Sequence, residues 1–120
     1  MPEVDPVLAP APLPVLEPAV LHDVAAVFGL LSATARLQIM WLLSAGPRDV
    51  GTLAADLGQP VAAVSQHLAK LKLGGLVRAR RHGRRQIYAV DDAVMGEVVR
   101  LVVGRAGVGG RSPARRVGSA

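Results

Sequence analysis

The chain has 120 residues, enough for one domain and too few for two ordinary cores. Hydrophobic residues make up 51% of it, yet only Phe28, Trp41 and Tyr88 are aromatic, so its core has to be aliphatic. Having no cysteine excludes a disulfide framework, a thiolate metal site and a cysteine nucleophile, and the net charge of +5 hides an uneven distribution.

Residues 1–18 contain Pro2, Pro6, Pro10, Pro12, Pro14 and Pro18, three acids (Glu3, Asp5 and Glu17) and no base. The stretch reads as a disordered or polyproline-like arm. It has no basic start, and proline breaks its apolar residues, so it does not read as a signal peptide. Apolar runs along the chain reach about five residues, far short of the ~18–20 that span a bilayer. No membrane partner and a cytoplasmic location are therefore expected.

The folded part is expected over 19–103. Val20, Val24, Val27, Leu30 and Leu31 recur at helical spacing and define a first helix. Ser32 or Ala33 interrupts it, and Thr34 is a candidate cap for a second helix carrying Leu37, Met40, Trp41 and Leu43. Gly46-Pro47 stops that helix. Asp49 can cap a short third helix with Leu53 and Leu57, which Gly58 ends. Pro60 suits the first turn of a fourth helix, where its missing N–H costs nothing. Val64, Leu68 and Leu71 form that helix's buried stripe, and Gly74-Gly75 terminates it. The period then changes: Leu76 to Arg81 and Gln86 to Val90 flank His82-Gly83-Arg84, a hairpin pattern. Asp91 or Asp92 caps a last helix with Val94, Val98, Leu101 and Val102 on one face. From Gly104 onward Gly, Ser, Arg and Pro dominate, and 104–120 reads as a disordered basic tail.

Two short helices joined at Gly58, followed by a basic hairpin, make a winged helix-turn-helix. The fold class is mainly α (α+β), with about five helices and one two-stranded hairpin as the wing. Residues 57–90 hold Lys70, Lys72, Arg78, Arg80, Arg81, Arg84 and Arg85 and no acid, a block that suggests a polyanionic partner. With Val64, Leu68 and Leu71 inward, the fourth helix turns Ala62, Ala63, Ser65, Gln66, His67 and Lys70 outward. Gln66 can bond adenine bidentately, Ser65 can donate or accept, and alanine can touch a thymine methyl. Lys70, Lys72, Arg80, Arg81, Arg84 and Arg85 are the candidates for phosphate contact. With so few aromatic rings for stacking, duplex DNA is a better partner than single-stranded nucleic acid.

Leu53-Ala54-Ala55-Asp56-Leu57-Gly58 followed by Val64-Ser65-Gln66-His67-Leu68-Ala69-Lys70-Leu71 resembles the winged helix-turn-helix of the ArsR/SmtB family of bacterial regulators. Gly75-Leu76-Val77 leading to Arg81, Gly83-Arg84 and Ile87-Tyr88 is similar to that family's wing, and Leu31-Ser32-Ala33-Thr34-Ala35-Arg36 to the opening of its second helix. The resemblance covers about 22–103. It implies a homodimer joined through the first and last helices, with two recognition helices facing a palindromic operator. Val20, Val24, Val27, Val94, Val98 and Leu101 are the candidate interface, and so small a monomer offers little else to cover them.

Many members of the family are repressors released by a metal. Where some carry a thiolate pair, this chain has Arg48-Asp49-Val50-Gly51. Where others use an Asp, two His and a Glu, Asp92 matches the first, but Val94, Arg105 and Val108 occupy the remaining places. One carboxylate is not a site for Zn²⁺ or Ni²⁺, so no metal and no cofactor are expected. Three readings of the signal stay open: constitutive binding, a non-standard metal site built from His22 with Asp23 or Glu97 across the dimer, or a separate effector-sensing protein. A general DNA- or partner-binding module without sequence preference is the alternative to a regulator. No Ser-His-Asp set, phosphate loop or working carboxylate pair is legible, so the chain is not expected to be an enzyme.

Overall fold

Pro18 opens the first helix, α1 (Pro18–Leu31), where its missing N–H is one that no helical bond would use. The computed structural model describes residues 10–107. After α1 come α2 (Thr34–Leu43), β1 (Arg48–Asp49), α3 (Val50–Leu57), α4 (Val61–Leu73), β2 (Val77–His82), β3 (Arg85–Val90) and α5 (Ala93–Arg105). Helix thus begins one residue before, and ends two residues after, the 19–103 expected for the folded part. Residues 10–17 form neither helix nor strand and are exposed. The remainder of the two expected tails, 1–9 and 108–120, lies outside the described residues. Among the described residues no single helix is long and apolar enough to cross a membrane.

Short polar residues set several element ends. Asp49 caps α3, accepting from the Thr52 N–H at 2.6 Å, and Asp92 caps α5, accepting from the Met95 N–H at 3.0 Å. Thr34 does not cap α2. Ala33 holds the N-cap position without a side-chain bond, and Thr34 is the first helical residue. The junction is held instead by Arg36, whose Nε donates to the Leu30 carbonyl at 2.7 Å. Pro60 likewise stands one place before the expected first turn, as the N-cap of α4. Its carbonyl accepts from the N–H groups of Ala63 and Val64, both at 3.1 Å.

Gly58 makes the turn between α3 and α4. Its φ of +65° is the left-handed conformation that glycine adopts without a Cβ penalty. The Gln59 N–H then closes back on the Ala54 carbonyl at 3.1 Å. At the tip of the hairpin, Gly83 (φ +65°) and Arg84 connect the pair His82↔Arg85. A two-residue loop with glycine first suits the right-handed twist of the strands it joins.

The sheet has three strands in the order β1-β3-β2, all antiparallel. β1 was not expected: Arg48 pairs with Tyr88 and Asp49 with Ile87, so β3 is bonded on both edges midway along its length. The core gathers Ile39, Met40, Leu43, Leu53, Val64, Leu68, Leu71, Leu76 and Val77 from α2, α3, α4, the turn after α4 and β2, with Leu31 and Val99 closing it from α1 and α5. Trp41, expected inside, is only half-buried at the edge of this core, where the Arg100 guanidinium lies 5.8 Å from its ring centroid.

Candidate nucleic-acid interface

Helix α4 has a buried strip, an outward strip and two flanks. Val64, Leu68 and Leu71 are buried against the core. Ala62, Gln66 and Ala69 lie on the opposite side and are exposed. Half-buried Ser65 and exposed Lys72 occupy one flank, and half-buried Ala63 and His67 with exposed Lys70 the other. The small residues around Gln66 leave it as the main polar group of the outward strip, with no neighbouring side chain taller than a methyl at 62, 63 or 69. His67 is tethered: the Arg36 Nη1 lies 3.4 Å from its Nδ1.

On the wing, the pleat sends Arg80 and Arg81 to opposite faces of the hairpin. Arg80 shares its face with Arg78, Ile87 and Ala89 around a shallow depression completed by Pro47. Arg84 sits at the tip. Arg85 is differently placed from its neighbours, because its Nε lies 2.8 Å from Asp49 Oδ2. Arg78 donates to the Val90 carbonyl at 2.8 Å and pairs with Asp91 at 3.4 Å. Two of the seven bases in the acid-free block thus meet acids from outside it. Lys70, Lys72, Arg80, Arg81 and Arg84 make no ion pair among the described residues.

Asp49 is the joint of this arrangement. Hydrogen bonds from Thr52, through its side chain and its backbone N–H, and then the Arg85 charge hold its carboxyl below the usual carboxylate range. A lowered native pKa means that the cap and the Arg85 pair contribute stability above the ordinary carboxylate range. They lose it only as pH falls through the lowered value, so both are intact at neutral pH.

The apolar side chains assigned to a dimer interface divide into two groups. Val20 and Val24 on α1 and Val94 and Leu101 on α5 are exposed, joined by Leu21, Phe28 and Val102, which the helical spacing did not single out as interface. Val27 and Val98 are half-buried. Val98 lines an apolar cleft between α1, α2 and α5 with Phe28, Leu31, Leu37, Met95, Val99 and Val102.

Of the residues weighed for a metal, His22 and Asp23 are exposed on α1 and Glu97 is exposed on α5. Among the described residues no three His, Asp or Glu side chains gather within one chain. Asp92 is occupied as the α5 cap, and Val108 lies outside the described residues.

Residues 34–79, from the start of α2 into β2, match the arsR family of bacterial regulatory proteins. The uncharacterized HTH-type transcriptional regulator Rv0081 of Mycobacterium tuberculosis is 38% identical over 82 residues, 65% of this chain and 72% of that protein. The chain belongs to the arsR family. Its fold is that of the homodimeric winged helix-turn-helix DNA-binding domain Mb0332 of Mycobacterium bovis, with a TM-score of 0.68 at 40% identity over 73% of this chain and 82% of that one. The HTH-type transcriptional regulator KmtR of Mycobacterium tuberculosis is 38% identical over 73 residues. Those residues are 61% of the present ArsR-family chain and 56% of KmtR, so the chain spans little more than half of that relative.

Proposed function

We propose that this ArsR-family chain is a transcription regulator that binds a palindromic operator in duplex DNA as a homodimer in the bacterial cytoplasm. It acts by binding rather than by catalysis. The observation that carries the reading is the pairing of one exposed strip of small residues on α4, with Gln66 as its polar group, with five unpaired cations on α4 and the wing. Gln66 reads base edges, with Ala62, Ala63 and Ser65 permitting close approach to the groove. Lys70, Lys72, Arg80, Arg81 and Arg84 hold phosphates. Arg85 acts through its bond to Asp49 and supports the wing. The exposed apolar side chains of α1 and α5 meet their copies in the second subunit, as the homodimeric relative supports. Signal sensing belongs to a separate protein or to no ligand at all.

The test is a titration of the purified chain onto the DNA upstream of its own reading frame and onto a scrambled duplex, across a salt series, with and without Ni²⁺ or Zn²⁺. Preference for the upstream duplex that ignores metal is the expected result. Gln66→Ala should cost about 1–3 kcal/mol on the preferred duplex and nothing on the scrambled one. Arg84→Ala should weaken both alike and reduce the slope of log K against log salt by about one. Equal wild-type affinity for the two duplexes would reduce the chain to a general DNA-binding module. Metal-dependent preference would direct attention to His22, Asp23 and Glu97.

A further inference from the structure

Among the described residues, His67 is the member of the outward and flanking set of α4 that makes a polar side-chain contact with another helix. Its partner Arg36 sits in the first turns of α2 and is itself held in place. Nε donates to the Leu30 carbonyl at 2.7 Å, one of the carbonyls that the end of α1 leaves without a helical partner. This bond fixes the guanidinium plane and leaves Nη1 3.4 Å from His67 Nδ1. A guanidinium carries donors only and does not lose its proton, so Nδ1 has to accept. The ring proton then resides on Nε2, at the opposite end of the imidazole.

We infer that Arg36 is a positioning residue that locks His67 in the Nε2–H tautomer and so presents one defined donor on the flank of the recognition helix that Lys70 shares. The inference rests on the DNA-binding reading above and adds a positioned hydrogen-bond donor to it. The acceptor that this donor suits is a phosphate oxygen or a purine N7. The other tautomer would aim a lone pair at the same acceptor and repel it. Arg36 thus couples the α1–α2 junction to the chemistry that α4 offers its ligand, without touching that ligand.

Two measurements on the full chain test this. Long-range ¹H–¹⁵N spectra of the DNA-free protein, at mildly alkaline pH where an ordinary imidazole is neutral, should show Nδ1 of His67 unprotonated and Nε2 protonated. In Arg36→Met, which keeps the length but no donor, the two nitrogens should move toward the tautomer average. An unaltered spectrum overturns the inference alone, leaving the DNA-binding reading standing. On the preferred duplex Arg36→Met should weaken binding about threefold to tenfold, and should cost nothing further in a His67→Ala background. A full additional loss in that background overturns the inference, because Arg36 would then act through α1 only. Loss on both duplexes alike assigns the acceptor to phosphate, and loss confined to the preferred duplex assigns it to a base. Should Arg36→Met fail to fold, His67→Gln and His67→Asn replace it. Gln places a polar group near Nε2 and should retain most binding, whereas Asn reaches only the Nδ1 place and should resemble His67→Ala. The reverse order overturns the inference. A wild-type chain that ignores duplex DNA would overturn the function and this role of His67 together.

Discussion

Leu101→Asp is expected to lower affinity for the preferred duplex by about 10²–10⁴-fold while leaving helical content unchanged. Leu101 is 63% exposed on α5, so within one chain a carboxylate there stays in water and breaks no core contact. In the proposed two-fold interface the same position would face apolar side chains of the second subunit, and two buried, unpaired carboxylates would oppose association. A dimer gains its affinity by holding two half-sites at once, and the loss quoted is the range that this effective concentration supplies. Sedimentation should show the monomer mass and circular dichroism a folded chain. Unchanged mass and unchanged affinity would remove α5 from the interface. Val98 is a poorer choice for this experiment. It is half-buried in the cleft under Phe28, and a charge there would damage the monomer as well.

Leu68→Ala should destabilise the domain by about 2–5 kcal/mol, read as a shift in the denaturation midpoint at constant slope. Leu68 is fully buried on α4 between the residues that α2 and α3 supply, and truncation leaves a cavity that rigid helices do not close. A small domain has only about 5–15 kcal/mol in total, so this change takes a large part of it. Gln66, two residues earlier on the exposed side of the same helix, should be close to neutral in the same assay when changed to Ala. The pair of measurements separates the strip of α4 that holds the fold from the strip proposed to meet DNA. Similar losses at both positions would mean that Gln66 is not exposed in solution.

The parts of the fold that were legible in the chain are those fixed by local chemistry. Asp49 and Asp92 as caps, Gly58 as the turn, Gly83 in the hairpin, and the Val64, Leu68 and Leu71 stripe are each determined within about four residues. What escaped depends on neighbours distant in sequence. β1 is two residues long, too short to carry a period, and exists because β3 offers it an open edge. Thr34 has the chemistry of a cap, but Arg36 reaching back to Leu30 had already tied that junction. Arg78 and Arg85 look like the other wing bases until the fold brings Asp91 and Asp49 beside them. Ile39, completely buried, was hidden because α2 is covered on several sides, so one stripe does not describe it.

The Arg85–Asp49 contact has a mechanical meaning. One carboxylate closes the first turn of α3, lies in the strand that edges the sheet, and grips the first residue of β3. Asp49 thus ties the first turn of α3, the helix next to the one that carries Gln66, to the wing strand where it leaves the tip. In the proposed DNA complex this tie would work as a caliper. A duplex whose groove width or local bend does not match the span between Gln66 and Arg84 has to deform to satisfy both, and the energy of that deformation depends on base steps the protein never touches. Selectivity would then come partly from the stiffness of the duplex, and loosening the joint at Asp49 would blunt it without removing any contact to a base.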